Sequence, residues 1–222
     1  MLTLISGDLG LTTGQAGSLV TWTLVGAVIG GFIFGTLSDK FGRVRVLTWT
    51  IVLFAIFTGL CALAQGYWDL LIYRTIAGIG LGGEFGIGMA LAAEAWPAQH
   101  RAKATSYVAI GWQLGVLAAA LLTPILLPYI GWRGMFMVGI IPAFVAWFFR
   151  AKLHEPEIFV QSKETKGHSH TNSFKLLVKD VRTTKTSIGV AILTSVQNFG
   201  YYGIMIWLPN FLSKQLGFSL TK

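Results

Sequence analysis

The sequence predicts an all-helical membrane protein, and three observations lead to that prediction. Hydrophobic residues make up 54% of the 222 residues and charged residues only 12%, whereas a soluble domain carries about 25% charged residues. The apolar residues are gathered in runs of about 20, the length needed to cross a bilayer core. The cations are gathered between these runs, because 13 of the 17 Lys and Arg residues lie in 38–45, 97–104 and 150–185.

The predicted membrane spans are six apolar runs: residues 18–37, 46–64, 70–93, 105–127, 132–149 and 187–208. The basic segments follow every second span, while the intervening turns, 65–69 and 128–131, contain no cation. Basic short loops mark the cytoplasmic side of a membrane. We therefore expect a multi-pass protein of the plasma or inner membrane, with its basic bends in the cytoplasm.

Several other classes of protein are disfavoured. The net charge of +8 could suggest a nucleic-acid partner, but the cations lie at the ends of apolar runs, as orientation signals do. The single cysteine, Cys61, lies inside an apolar run, which excludes a disulfide framework and a cysteine metal site. No predicted span contains a catalytic or metal-binding motif. We therefore expect no nucleic acid, no enzymatic activity, no metal and no cofactor.

The first basic loop carries the most specific motif. Gly35 is followed at the required spacing by Asp39, Lys40, Gly42 and Arg43, and Gly42 predicts a tight turn with positive φ. This pattern resembles the signature loop of the major facilitator superfamily, Gly-x-x-x-Asp-Arg/Lys-x-Gly-Arg-Arg/Lys, which joins that family's second and third spans. The last position differs, because Val44 stands there and Arg45 follows one place later. A soluble helix–turn–helix is the alternative interpretation of the same residues.

The resemblance implies a twelve-helix fold in two six-helix halves, of which this chain would cover about spans two to seven. Residues 1–149 would then belong to the N-terminal transmembrane half and 150–185 to the central cytoplasmic loop. Residues 186–222 would hold the first span of the C-terminal half. We expect the first span and most of the C-terminal half to be absent, because 1–17 contains too short an apolar run to cross a bilayer.

The span 70–93 contains two ionisable residues, Arg74 and Glu84. A charge near the bilayer centre costs roughly 2.5–3.5 kcal/mol, so such residues usually face a cavity or a partner. Helix geometry places the two about 15 Å apart along the axis and about 80° apart around it, so they can face one side. Arg74 could bind a carboxylate substrate and Glu84 could exchange a proton, because apolar surroundings favour the neutral carboxyl. In the structural alternative, Arg74 extends to the surface and Glu84 braces a neighbouring helix.

The same span contains a run of glycines. Gly78 to Gly83 satisfies Gly-x-Gly-x-x-Gly, but a dinucleotide-binding loop needs a preceding strand and a βαβ unit, and neither is predicted. Gly78 and Gly82, four residues apart, instead indicate a site where two transmembrane helices approach closely.

The second basic loop contains Glu94, Pro97 and Arg101 in a Glu-x-x-Pro-x-x-x-Arg pattern. It resembles the loop after the fourth span of sugar porters and related metabolite–proton symporters. With Asp39 and Arg43 of the first loop, Glu94 and Arg101 predict a cytoplasmic gate in which acids and bases pair across helix ends in one conformation. In the alternative, these cations only set the orientation of the protein.

Polar side chains within apolar spans are the remaining candidates. Gln113 lies in the fourth span, and Gln197, Asn198 and Tyr201 lie in the last one. The last run resembles the seventh span of aromatic-acid, metabolite and sugar symporters. We expect these side chains to line a substrate path, and packing against a neighbouring helix is the alternative.

Together these features predict a secondary active transporter of a small organic or aromatic carboxylate, working by alternating access and proton-coupled symport. Its expected partners are the lipid bilayer, an anionic small molecule and the proton. Two alternatives remain open. One is a truncated, non-transporting membrane protein or a regulatory, receptor-like one, and the other is a sugar transporter.

Overall fold

A computed structural model of the chain describes residues 2–150, 179–204 and 208. Much of the predicted central loop and the end of the predicted last span lie outside these residues. The helices are α1 (Leu2–Asp8), α2 (Thr13–Phe41), α3 (Arg43–Cys61), α4 (Tyr67–Ala95), α5 (Arg101–Val138), α6 (Ile140–Arg150) and α7 (Val181–Tyr202), with a 3₁₀ turn at Ala98–His100. The chain divides into two compact units, Met1–Gly167, which holds α1 to α6, and His168–Lys222, which holds α7.

The predicted all-helical membrane fold is confirmed. Within the described ranges, four stretches are long and apolar enough to cross a membrane: Thr13–Phe41, Arg43–Cys61, Tyr67–Ala95 and Ala98–Arg150. The last stretch has 53 residues, which is enough for two passes. The helices α2 and α4, of 29 residues each, extend beyond both ends of the predicted spans 18–37 and 70–93.

A capping box explains why α2 begins earlier than its apolar run. The Thr12 hydroxyl accepts a hydrogen bond from the Gln15 backbone N–H at 3.2 Å, and the Gln15 side chain accepts one from the Thr12 N–H at 2.9 Å. Two N–H groups that lack helical partners are thereby satisfied. Helix formation at this end is decided by local hydrogen bonding rather than by hydropathy.

The junction between α2 and α3 consists of a single residue, Gly42. Its φ of 111° confirms the predicted positive value, which glycine adopts without a steric penalty. The charged residues that the sequence placed in a loop therefore lie on the two helices themselves. Asp39 lies in the last turn of α2, and Arg43 is the first residue of α3.

The chain turns back at Gly131, inside the stretch named α5. Gly131 has φ 64° and ψ −178°, which are not helical values. Leu127 before it and Trp132 after it pack into the same buried cluster, and α6 beyond the turn packs back against α3. The chain therefore reverses at Gly131. We call residues 132–150 the return segment, and its end at Arg150 reaches Glu84 on α4.

The first unit is a bundle with two distinct ends. At the end that bears Arg43 and Arg101, which we call the basic end, Val46, Leu47 and Ile87 form a small buried core. At the opposite end, a larger core joins α1, α2, α4, the end of α3 and the start of the return segment. Its buried residues are at most 7% exposed: Ile5, Leu19, Cys61, Ala62, Ala64, Leu70, Trp132 and Phe136. Successive long helices run between these ends in alternating directions, and α4 packs against both α2 and α3.

The second unit contributes α7 to the described residues. Asp180 caps its N-terminus, because its side chain accepts a hydrogen bond from the Thr183 N–H at 2.8 Å. This bond holds the pKa of Asp180 below its usual value, since it stabilises the ionised carboxylate.

Candidate functional site

The α2–α4 interface is closed by reciprocal glycines. A Cβ added to Gly78 or Gly82 would meet the backbone oxygen of Thr23 or Ala27 on α2, well inside 3.0 Å. On α2, Gly26 and Gly30 stand in the same relation to the α4 backbone. The structure thus places Gly78 and Gly82 at a close helix contact, and it adds a second glycine pair that sequence reasoning missed. The signal was present in the sequence as Gly26-x-x-x-Gly30.

Arg74 lies on α4 near the opposite-end core. Its guanidinium carbon is 5.6 Å from the centre of the Phe136 ring on the return segment, and the residue is partly buried. Among the residues that the structure describes, no carboxylate lies within 4.0 Å of this guanidinium. A cation in this position can accept an incoming anion without first releasing an internal one.

Glu84, further along α4, is paired with Arg150 at the end of the return segment. The Arg150 Nη1 donates to Glu84 Oε1 at 3.4 Å, a long and weak contact. Both side chains are partly buried, with 30% of Glu84 and 23% of Arg150 exposed. Arg74 and Glu84 therefore both contact the return segment. Sequence reasoning missed Arg150 as a partner, because it lies 66 residues away.

At the basic end, Arg43 joins three elements. Its guanidinium donates to both carboxylate oxygens of Glu94 on α4, at 2.9 to 3.2 Å, and lies 2.8 Å from an oxygen of Asp39. It also donates to the buried hydroxyl of Ser38 at 2.8 Å. The structure thus brings together three of the four predicted gate residues, and adds Ser38, which was not predicted.

Arg101 lies apart from this cluster. Its Nε donates to the carbonyl of Trp96 at 3.3 Å, and its side chain is exposed. Gln113 is also exposed, on the surface of α5.

In the second unit, Gln197 and Asn198 are exposed on α7, and the Asn198 amide donates to the Thr194 carbonyl of its own helix at 2.9 Å. Tyr201 is partly buried and stacks edge-on against Tyr202, with ring centres 5.5 Å apart. Asn198 and Tyr201 thus bond or stack within their own helix.

A second charged cluster lies at the opposite end of the bundle, and sequence reasoning missed it entirely. The Asp8 carboxylate accepts hydrogen bonds from the Trp132 indole N–H at 2.9 Å and from Arg133 at 2.6 Å. Arg133 also donates to the Ala64 carbonyl at 3.3 Å and stacks on the Trp132 ring at 4.2 Å. The bond from Arg133, and then that from Trp132, hold the pKa of Asp8 below its usual value of 3.8.

The sequence profile of the Major Facilitator Superfamily matches residues 1–222. The chain belongs to this superfamily. It is 76% identical, over all of its length, to a metabolite transport protein of Haemophilus influenzae. It is 34% identical, over 96% of its length, to a cis,cis-muconate transport protein of Acinetobacter baylyi. A partially occluded, inward-open structure of the xylose transporter XylE from E. coli matches 67% of the chain with a TM-score of 0.62 and 27% identity.

These comparisons confirm the resemblance to the major facilitator superfamily that the motif in the first basic loop indicated. The named relatives are transporters rather than enzymes. This facilitator chain spans only about half of their length, namely 56% of the H. influenzae protein, 52% of the muconate carrier and 40% of XylE.

Proposed function

We propose that this facilitator chain carries out proton-coupled transport of small organic or aromatic carboxylates across the cell membrane. The observation that carries the proposal is Arg74, a partly buried guanidinium on a membrane-spanning helix, with no carboxylate partner in the described part of the chain. A buried cation without a counter-ion favours binding of an anion from outside. The name of the muconate relative, which refers to a dicarboxylate, gives independent support.

In this proposal Arg74 binds the substrate carboxylate and Glu84 carries the proton. Protonation of Glu84 would release Arg150, and deprotonation would restore the pair, so that the proton state is linked to the contact between α4 and the return segment. Gln113 in the first unit is proposed to face the substrate, and the same is proposed for Gln197, Asn198 and Tyr201 in the second unit. The structural alternative for Glu84 is that its pair with Arg150 only braces two helices.

The gate at the basic end is proposed to be the cluster of Asp39, Arg43 and Glu94, assisted by Ser38. Its ion pairs join helix ends and must weaken if those ends separate during transport. Arg101 is proposed to contribute to orientation in the membrane rather than to this cluster. Asp39→Asn should therefore slow turnover more than it weakens substrate binding, and normal turnover in that variant would remove Asp39 from the gate.

A direct test is uptake of labelled cis,cis-muconate and benzoate into proteoliposomes that contain the 222-residue chain, with and without a pH gradient. We expect gradient-driven accumulation of at least one of these carboxylates. Xylose serves as the competing substrate class, because the XylE match favours a sugar carrier as the second candidate. Accumulation of xylose but of neither acid would favour a sugar carrier over the carboxylate proposal. Absence of any uptake would show that the 222-residue chain does not transport by itself.

The same assay tests the proton role of Glu84. Glu84→Gln should abolish accumulation driven by the pH gradient yet preserve exchange of labelled for unlabelled substrate, because a neutral amide can neither take up nor release the proton. Asp69→Asn, which neutralises an exposed acid near the start of the same helix, is the matched control. Unchanged accumulation in Glu84→Gln would leave Glu84 with the bracing role alone.

A further inference from the structure

The ring of Phe136 lies against the guanidinium of Arg74. The separation of 5.6 Å between the guanidinium carbon and the ring centre is within the range in which an aromatic face attracts a cation. A ring stabilises the charge without using the in-plane N–H donors, whereas a carboxylate would occupy them. Phe136 can therefore hold Arg74 in the bundle and still leave its donors available to an anion.

The position of Phe136 is itself fixed by packing. Its ring is only 7% exposed, and it meets the Trp132 ring edge-on, with centres 6.0 Å apart and planes at 87°. Both rings belong to the core that also contains Cys61 and Leu70. Aromatic rings prefer such edge-to-face arrangements, so the ring has one well-defined location.

Polar contacts also anchor the start of the return segment. Trp132 and Arg133 both donate to Asp8, and Arg133 reaches the carbonyl of Ala64 beyond the end of α3. Phe136 follows Arg133 by three residues, which is less than one helical turn. The polar contacts therefore fix the height and rotation of the helical turn that presents the Phe136 ring to Arg74.

We infer that Phe136 is a positioning residue that holds the Arg74 guanidinium ready for an anionic substrate, on a return segment anchored by Asp8. This inference rests on the proposed role of Arg74 in binding carboxylates. Through the return segment, the cluster of Asp8, Trp132 and Arg133 then contributes to substrate affinity, although these residues are distant in sequence from Arg74.

The test compares benzoate, an anion, with benzamide, an uncharged molecule of nearly the same shape. Equilibrium dissociation constants are measured for the 222-residue chain in lipid nanodiscs, and thermal melting reports folding. Phe136→Leu should weaken benzoate binding about five-fold and leave benzamide binding unchanged. Phe136→Tyr keeps the aromatic face and should restore the affinity for benzoate. Phe144→Leu, which alters an exposed ring of the same segment, should change neither constant.

Each outcome decides between a positioning role and simple packing. If Phe136→Leu weakens benzoate and benzamide binding equally, or only lowers the melting temperature, the ring packs the core and the inference fails. Phe136→Met is a second variant in case Phe136→Leu does not fold. If both variants lose binding of both benzoate and benzamide, the inference is also overturned. Arg74→Gln should remove the preference for benzoate. The carboxylate proposal fails if Arg74→Gln keeps the preference for benzoate, or if the unaltered chain has no such preference. If Arg74→Gln loses the preference but Phe136→Leu keeps it, only the role of Phe136 is overturned.

Discussion

Ion pairs connect helical segments at both ends of the bundle, but the charged side chains at the two ends differ in exposure. At the basic end, Arg43 is 18% exposed and bonds a Glu94 side chain that is 27% exposed. At the opposite end, Arg133 and Asp8 are 46% and 48% exposed. Exposed ion pairs contribute about 0–1 kcal/mol, whereas removal of one partner from a buried pair costs about 3–5 kcal/mol. The basic end should therefore depend on its charges, and the opposite end on its apolar core.

The difference matters for a protein that has to change shape. A partly buried network at one end resists separation of the helix ends until its ion pairs are broken, which suits the proposed gate. An exposed pair above a large apolar core instead fixes the direction of a segment and contributes less to closure. Four predictions, ordered by the size of the expected effect, test this contrast.

The largest effect is expected at the α2–α4 interface, which lies between the two ends. Gly82→Ala would place a methyl group into the α2 backbone, and we expect a loss of about 3 kcal/mol in unfolding free energy, measured by denaturant titration in detergent. Gly86→Ala on the same helix has no atom within 4 Å of the added carbon and should be neutral or slightly stabilising. Equal losses of unfolding free energy in Gly82→Ala and Gly86→Ala would show that contacts at the two ends of the bundle, and not the glycine contacts, hold α2 against α4.

At the basic end, Glu94→Gln should lower the unfolding free energy by about 2 kcal/mol, because the partly buried Arg43 guanidinium loses one of its two carboxylate partners and keeps only Asp39. Asp69→Asn, an exposed acid near the opposite end, is the control and should change stability by less than about 0.5 kcal/mol. A loss for Glu94→Gln no greater than that for Asp8→Asn would contradict the comparison between the two ends.

At the opposite end, Asp8→Asn should have a smaller effect that depends on pH. Because the pKa of Asp8 is lowered in the folded chain, the carboxylate stabilises the fold above its unfolded value near 3.8, and this contribution is lost as the pH falls through the folded value. Melting temperatures of the unaltered chain and of Asp8→Asn should therefore differ at pH 7, and the difference should shrink below pH 3.8 and vanish once the pH has fallen through the lowered folded pKa. A constant difference across this range would exclude ionisation of Asp8 as the cause.

The smallest effect is expected for Arg101→Ala. Its side chain is exposed and bonds only the Trp96 carbonyl among the described residues, so unfolding free energy should change by less than about 0.5 kcal/mol. Arg43→Ala is the comparison variant at the same end and should lose several times more. If the two losses are equal, Arg101 belongs to the basic-end cluster as the sequence pattern suggested.

The helices and the basic-end contact were predictable because their signals are local. Runs of apolar residues identify the spans, and the pattern around Gly42 predicts the turn. The contact between Arg43 and Glu94 was predictable because each lies in a recognisable loop motif. Glycines four residues apart mark Gly78 and Gly82 as packing residues without saying which helix they meet.

The rest depends on contacts between residues that are distant in sequence. Asp8 meets Arg133 across 125 residues, and no local pattern at either position indicates the other. Arg150 was assigned to a loop because hydropathy alone ends a span at its first charge, although its guanidinium reaches Glu84 within the bundle. Phe136 looked like any apolar residue, since its contact with Arg74 exists only after the chain turns back at Gly131.

The two ends of the bundle should lie on opposite sides of a membrane, because only one of them carries the basic segments. In a Cys61→Ala background, Arg101→Cys and Tyr129→Cys place single thiols at exposed positions near the two ends, and a membrane-impermeant maleimide is applied to intact cells and to inverted vesicles. We predict labelling of position 129 only in cells and of position 101 only in inverted vesicles. Labelling of both positions from the same side would contradict the membrane arrangement on which the proposed carrier rests.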